Sequence, residues 1–172
     1  MSGIVQIGGV ALASHDSVTD KVSLDSGIVF PALHGIVGTS GCNVYPASST
    51  SCNNSAETKI LFATEREDIA DEFTSNKFTV TVAGMYYIMV QVTLQDFEDG
   101  KAMQAKIMKN GTGIALHRVN NGRVDHASSS VSTIVTLAVD DYIEGWCWHN
   151  NSVNRNTTTS GGDTNMVIMR LT

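Results

Sequence analysis

The sequence is short of positive charge and of long apolar runs, and each shortage excludes a class of protein. Its 172 residues carry 11 Lys and Arg against 17 Asp and Glu, which gives a net charge of -6 at pH 7. No basic stripe is present to release counterions from a phosphate backbone, so we expect no nucleic-acid partner. No apolar run approaches the roughly 18 residues that span a bilayer, so we expect no membrane insertion.

Cysteine is also scarce, and the three that occur are too few for a disulfide framework. Cys42 and Cys52 are spaced to close a small loop, whereas Cys147 lies in a Trp-Cys-Trp run with the pattern of a strand. Their spacing fits no compact zinc motif. We interpret all three as reduced thiols, with Cys147 buried as a small apolar side chain.

Catalytic motifs are missing as well. The sequence has no Gly-x-Ser-x-Gly elbow, phosphate-binding loop or His-Glu-x-x-His motif. Cys147 and His149 share a strand face, but a buried thiol beside a hydrogen-bonded imidazole explains this spacing better than a nucleophile pair does. Asp96, Glu98 and Asp99 are too few for a calcium site and are interpreted as a solvated turn. We therefore expect no enzyme activity, no catalytic residue, no metal and no cofactor.

What the sequence does contain is period-two alternation. Between Phe78 and Val82, apolar residues alternate with threonines. Gly84 interrupts the run, and the alternation of inward and outward residues resumes from Tyr86 to Leu94. β-Branched and aromatic residues at this period predict half-buried strands, and the glycine predicts a sharp bend or reversal. Asn110-Gly111 between apolar strands predicts a tight hairpin.

About eight to ten short strands with turn residues between them predict an all-β sandwich or jelly roll. One segment departs from this pattern. Thr64 to Glu67 has the spacing of a helix capping box, which leaves either one helical turn or an acidic loop open here.

The spacing of Phe78, Gly84 and Tyr86 carries a family resemblance. A Phe, five residues, Gly, one residue and Tyr resemble the core signature of the complement component one-q globular head, in the superfamily shared with tumour necrosis factor. Position by position these three residues match the signature. The alternation that follows is aliphatic at Ile88 and Val90, where that family prefers aromatic residues.

Three further stretches agree with this resemblance in the same order. They are the Lys109–Gly111 turn, the apolar strand before Asp141 in which Asp140 replaces the family's Gly, and the closing strand that ends at Leu171. The resemblance covers residues 59–172. It implies a jelly-roll sandwich of about ten antiparallel strands that packs as a compact homotrimer and has no catalytic centre.

Aromatic residues are the candidates for the trimer contact, because the sequence has more of them on strands than one small core needs. A cyclic trimer joins two different patches around its axis. The candidates are Tyr87, Tyr142, Trp146 and Trp148.

Residues 1–58 are rich in Gly, Ser, Thr, Val and Ile, and we expect a β-rich arm that anchors the head to a larger assembly. The first positive side chain is Lys21, so the basic start of a secretory leader is missing. No collagen Gly-X-Y repeat is present. The candidate anchoring residues are Ile4, Val5, Ile7, Val10 and Leu12.

Heads similar to this one occur in bacteriophage structural proteins. The resemblance and the arm together predict a capsid decoration (cement) protein on the surface of the virion, with itself and the major capsid protein or another virion protein as partners. A tail-fibre or head-fibre tip that binds a host receptor or surface glycan is the first alternative. A secreted cell-surface ligand is the second, because four asparagines begin glycosylation sequons: Asn53, Asn110, Asn150 and Asn156.

Overall fold

The computed structural model describes residues 3–7, 10–16, 21–24, 40–122 and 125–172. These residues form strands and turns and contain no helix. In chain order the strands are β1 (Gly3–Ile7), β2 (Val10–Asp16), β3 (Lys21–Leu24), β4 (Gly41–Tyr45), β5 (Ser51–Cys52), β6 (Thr58–Lys59), β7 (Thr64–Asp68), β8 (Phe73–Thr74), β9 (Lys77–Thr79), β10 (Gly84–Phe97), β11 (Ala102–Lys109), β12 (Thr112–Asn120), β13 (Asp125–Leu137), β14 (Tyr142–His149), β15 (Arg155–Asn156) and β16 (Asn165–Arg170).

The chain divides into two compact units, Met1–Val37 and Gly38–Thr172. In the first unit, β1, β2 and β3 form a three-stranded antiparallel sheet. The candidate anchoring residues fall on its first two strands: Ile4, Val5 and Ile7 on β1, and Val10 and Leu12 on β2. Their side chains lie outside the described residues, so their anchoring role stays a prediction.

The second unit, the head, is a sandwich of two antiparallel sheets. One sheet has five strands in the order β13-β10-β16-β4-β7, and the other has six in the order β12-β11-β14-β9-β8, with β6 also pairing with β14. This arrangement confirms the all-β jelly roll. The head begins earlier than the boundary expected after residue 58, because β4 lies between β16 and β7 in the five-stranded sheet.

Period-two alternation builds the core between the sheets. On β10 every second side chain from Tyr86 to Leu94 is fully buried. Ile107 on β11 and Ile143 and Cys147 on β14 face them from the other sheet. Residues at i, i+2 and i+4 of a strand point to one face, so the pattern read from the sequence fixes which side of each sheet is inside.

Gly84 stands where the chain passes from one sheet to the other. β9 belongs to the six-stranded sheet and β10 to the five-stranded sheet, so the predicted bend is a corner between sheets and not a hairpin. A Cβ at Gly84 would lie 2.1 Å from the Thr172 carbonyl oxygen and 2.7 Å from Arg170 Nε. The glycine is therefore required because the C-terminal residues, from the end of β16 to Thr172, pass close to the backbone at this corner.

The predicted Asn-Gly hairpin is confirmed between β11 and β12. Asn110 and Gly111 have φ of 51° and 76°, the left-handed values of a type I′ turn. The Asn110 side chain accepts the Tyr142 backbone N–H at 2.8 Å and donates to the Asp141 carboxylate at 2.6 Å. Lys109 and the other donors around Asp141 lower the pKa of its carboxyl to about 2.

Asp140, which replaces the family's Gly, has a φ of 69° and so keeps a left-handed conformation.

The segment that begins at Thr64 is neither the helical turn nor the acidic loop weighed above. It is β7, at the edge of the five-stranded sheet, with the side chains of residues 65–67 exposed. Charged residues are well suited to an edge strand because they oppose pairing with another sheet. At the end of β7 the Asp68 carboxylate accepts the backbone N–H groups of Glu72 and Phe73 and so holds the turn that follows the strand.

Candidate functional site: two sheet faces

The outer face of the five-stranded sheet presents a cluster of large apolar side chains. Because Tyr86 and Ile88 point into the core, the alternating residues Met85, Tyr87 and Met89 point outward. The pairing register places residues of three neighbouring strands beside one another. We call this surface the apolar face, and its members are Met85, Tyr87, Met89, Ile134, Val167 and Met169.

Two rows across the sheet make up the centre of the apolar face. One row places Tyr87 between Ile134 on β13 and Met169 on β16. The next places Met89 between Ser132 and Val167, and Asn43 follows Val167 on β4. Ile134 is 58% exposed, Met169 46% and Met85 41%. Neither row contains a charged side chain on β13, β10, β16 or β4, and the second row reaches a charge only at Glu67 on the edge strand β7. Burying the centre of the face would therefore desolvate no charged group.

The outer face of the six-stranded sheet is also rich in large side chains, but charged residues are interleaved with them. We call it the tryptophan face, and its members are Tyr142, Trp146, Trp148, Lys106, Leu116 and Arg118. The register places Trp146 beside Lys106 and Lys106 beside Leu116. Leu116 is 57% exposed.

Each aromatic residue of the tryptophan face has a partner within its own chain. Trp146 Nε1 donates to the Glu144 carboxylate at 3.0 Å, and the same carboxylate pairs with Lys59. The Arg118 guanidinium lies 5.2 Å from the centre of the Trp148 ring, and Lys77 Nζ lies 5.0 Å from that of Tyr142. These contacts keep the aromatic rings half-buried and surround them with charge.

The structure therefore separates the four residues predicted to form the trimer contact. Tyr87 lies on the apolar face, whereas Tyr142, Trp146 and Trp148 lie on the tryptophan face of the opposite sheet. The exposed neighbours of Tyr87 across the sheet are not aromatic: they are Ile134 and Met169. The sequence contained this information for Ile134, a large apolar residue that alternates with the buried positions of β13 and has Ser132 and Thr136 on its own face.

Cys147 and His149 do not form a nucleophile pair. Cys147 Sγ lies 2.9 Å from Cys52 Sγ, and His149 Nε2 donates to the Cys52 backbone carbonyl at 3.0 Å. His149 Nδ1 accepts the Asn151 backbone N–H at 3.2 Å. Both ring nitrogens are thus used by the neutral imidazole, and none of the three side chains is exposed. Among the described residues no group of three His, Cys, Asp or Glu is placed to hold a metal ion.

Protonation of His149 should destabilise the head at acidic pH. Burial lowers the pKa of this imidazole below its ordinary value of 6.5, so the unfolded chain takes up a proton that the folded chain does not. The free energy of unfolding should therefore fall as pH drops below about 6.5, and this contribution should level off below the pKa of the folded state. Urea titrations between pH 8 and pH 4 measure the slope.

His149→Gln should reduce this slope, whereas His126→Gln, at an exposed histidine on β13, should leave it in place. An identical slope in the protein and in His149→Gln would contradict the assignment.

The fold and its two faces define a jelly-roll head of the kind shared by complement one-q and tumour necrosis factor proteins. The chain belongs to the C1q domain family, whose sequence profile matches residues 45–166, more than half of its length. No curated protein matches the sequence. No helix among the described residues is long and apolar enough to cross a membrane.

Solved structures agree with this assignment at the level of the fold. Murine APRIL at pH 5.0 has a TM-score of 0.62 at 15% identity, over 77% of this chain and 98% of that one. The globular domain of zebrafish complement 1qA has a TM-score of 0.58 at 13% identity, over 78% and 98%. The Eiger TNF of S. frugiperda has a TM-score of 0.60 at 10% identity, over 79% and 94%.

Proposed function

We propose that this chain is a non-enzymatic, homotrimeric capsid decoration protein of a bacteriophage, in which the jelly-roll head is displayed and the N-terminal unit binds the shell. The observation that supports the trimer is the apolar face, whose two central rows contain no charged side chain on β13, β10, β16 or β4. Membership of the C1q domain family supports self-association of the head. The division of the chain into an N-terminal unit and a head supports separate anchoring and display.

The apolar face is the better candidate for the centre of the trimer. Interface cores are depleted of charged residues and enriched in aromatic residues and methionine. The apolar face has Tyr87 and three methionines. Its members are all uncharged, so burying them removes no ion from water. The tryptophan face would have to desolvate the Arg118 guanidinium and two ion pairs, Lys106 with Glu57 and Lys59 with Glu144, and the desolvation of buried ion pairs can exceed their attraction.

A host-binding tip of a fibre is the second candidate, and the tryptophan face favours it. If the apolar face closes the trimer, then Trp148, Arg118 and Leu116 remain outside it as an aromatic surface with charge around it. Such surfaces suit ligands that combine apolar and polar groups, including the glycans of a host surface. The copy number on the particle separates the two candidates: many copies over the shell support decoration, and few at the tail support attachment.

The secreted-ligand alternative requires asparagines that are free to carry glycans. The side chain of Asn110 is held at both ends in its hairpin, and that of Asn150 accepts the Ala102 backbone N–H at 2.7 Å. Mass spectrometry of the protein expressed in a glycosylating host tests the remaining sequons at Asn53 and Asn156.

Deletion of residues 2–37 should abolish binding to capsids while the head still forms trimers. The deletion stops at residue 37 because the hydroxyl of Ser40 is hydrogen-bonded within the head. Co-sedimentation with capsids measures binding, and light scattering after size-exclusion chromatography measures the trimer. The full chain is the control. Undiminished binding by the truncated trimer would refute the anchoring role of the N-terminal unit.

A further inference from the structure

Cys52 and Cys147 lie 95 residues apart in the sequence, and the fold brings their sulfur atoms to 2.9 Å. Both are free thiols, and the two sulfur atoms lie within contact distance of each other. Both side chains are fully buried. The third cysteine, Cys42, lies on β4 in the other sheet, so the structure selects one pair out of three.

The backbones that carry the two sulfur atoms are held side by side. Thr58 of β6 pairs with Cys147, and the backbone N–H of Ser55 donates to the His149 carbonyl at 2.7 Å. From the same strand, the His149 imidazole donates to the Cys52 carbonyl. The segment from Cys52 to Lys59 is therefore fixed against β14 by hydrogen bonds on both sides of the cysteine pair.

We infer that Cys52 and Cys147 form an intramolecular disulfide under oxidising conditions, which covalently joins the loop around β5 to β14. The oxidant is a small-molecule disulfide such as oxidised glutathione. One cysteine thiolate attacks it, forms a mixed disulfide and releases one reduced thiol. The second cysteine then attacks the mixed disulfide and releases the other. The protein loses two protons and two electrons, and the oxidant gains them as two thiols.

The location of the pair determines how fast this reaction runs. The neighbouring Cys52 thiol and burial raise the pKa of Cys147, so the folded head holds the pair as neutral thiols. Cys52 lies on a two-residue strand that pairs only with β15, among the shortest elements of the head. Local opening that breaks both this pairing and the hydrogen bonds to β14 would expose Cys52, and oxidation should therefore accelerate in mild denaturant.

The test uses the full chain, incubated with oxidised glutathione in mild urea and then returned to buffer. The number of titratable thiols should fall from three per chain to one. Peptide mapping without reductant should recover one cross-linked pair, Cys52 with Cys147. The oxidised protein should melt on the order of 10 °C higher than the reduced protein, since the bond constrains a long loop of the unfolded chain.

The cysteines provide their own matched variants. Cys42→Ser should keep both the cross-link and the rise in melting temperature, and Cys147→Ala should lose both. The comparison of oxidised and reduced wild-type protein needs no variant, so it stands even where a substitution impairs folding. Three free thiols after oxidation through unfolding and refolding, or a cross-link that includes Cys42, would overturn the inference.

Discussion

Glu72→Ala is expected to lower the free energy of unfolding of the head by at least about 3 kcal/mol. Glu72 is buried at the point where the chain crosses from β7 in one sheet to β8 in the other. Its Oε2 accepts the Ser40 hydroxyl at 2.6 Å and the Gly41 backbone N–H at 3.1 Å. Its Oε1 accepts the backbone N–H of Thr81 at 2.9 Å and also the Thr81 hydroxyl.

The magnitude follows from the donors that the substitution leaves behind. Each buried donor without an acceptor costs about 1–3 kcal/mol, and alanine removes the acceptor of two buried donors at once, the Ser40 hydroxyl and the Gly41 backbone N–H. Glu72→Gln should also destabilise, although less, because its amide nitrogen would face donors where a carboxylate oxygen accepts. Glu65→Ala is the matched control, since Glu65 is exposed on β7, and it should change stability by less than about 0.5 kcal/mol.

Urea titration followed by intrinsic fluorescence measures the three variants, and the melting temperature of Glu72→Ala should fall by roughly 10 °C. Equal stabilities for Glu72→Ala and Glu65→Ala would show that the carboxylate is not a structural link between the sheets.

This link illustrates which parts of the fold the sequence predicts. The alternation on β10 and the Asn110 turn could be read directly, because strand period and left-handed turn residues are local properties. The role of Glu72 could not, because its partners are 32 residues before it and 9 residues after it. Only the assembled sandwich brings these donors to one carboxylate. From the sequence alone these donors cannot be assigned to Glu72, and a single Glu in a polar segment is then predicted to be exposed to solvent.

The candidate site shows the same division. The sequence indicated correctly that Tyr87 points away from the core. Residue type alone made Trp146 and Trp148 equally good interface candidates. Cross-strand register then places Lys106 beside Trp146 and brings Arg118 within reach of the Trp148 ring, whereas the residues paired with Tyr87 are apolar. Register between strands distant in sequence decides which aromatic surface is costly to desolvate, and one sequence does not specify it.

Ile134→Glu is expected to convert the trimer into monomers, whereas Leu116→Glu is expected to leave it intact. The two residues are a matched pair. They are 58% and 57% exposed, and each lies on a strand at the edge of its sheet, β13 for Ile134 and β12 for Leu116. Both variants add one charge and lose one aliphatic side chain, so they should differ little in the stability of the isolated head.

They differ in the surface on which the new charge appears. On the apolar face a carboxylate would be buried against another copy without a partner, at about 3 kcal/mol or more for each chain, which is more than a hundredfold in the association equilibrium. On the tryptophan face it would lie near Lys106 and remain solvated. Sedimentation equilibrium over a range of concentrations measures the oligomeric state of both proteins, and circular dichroism confirms that each is folded.

Met169→Glu should behave as Ile134→Glu does, because both side chains flank Tyr87. Dissociation by Leu116→Glu with an intact Ile134→Glu trimer would instead assign the interface to the tryptophan face, where three of the four predicted aromatic residues lie.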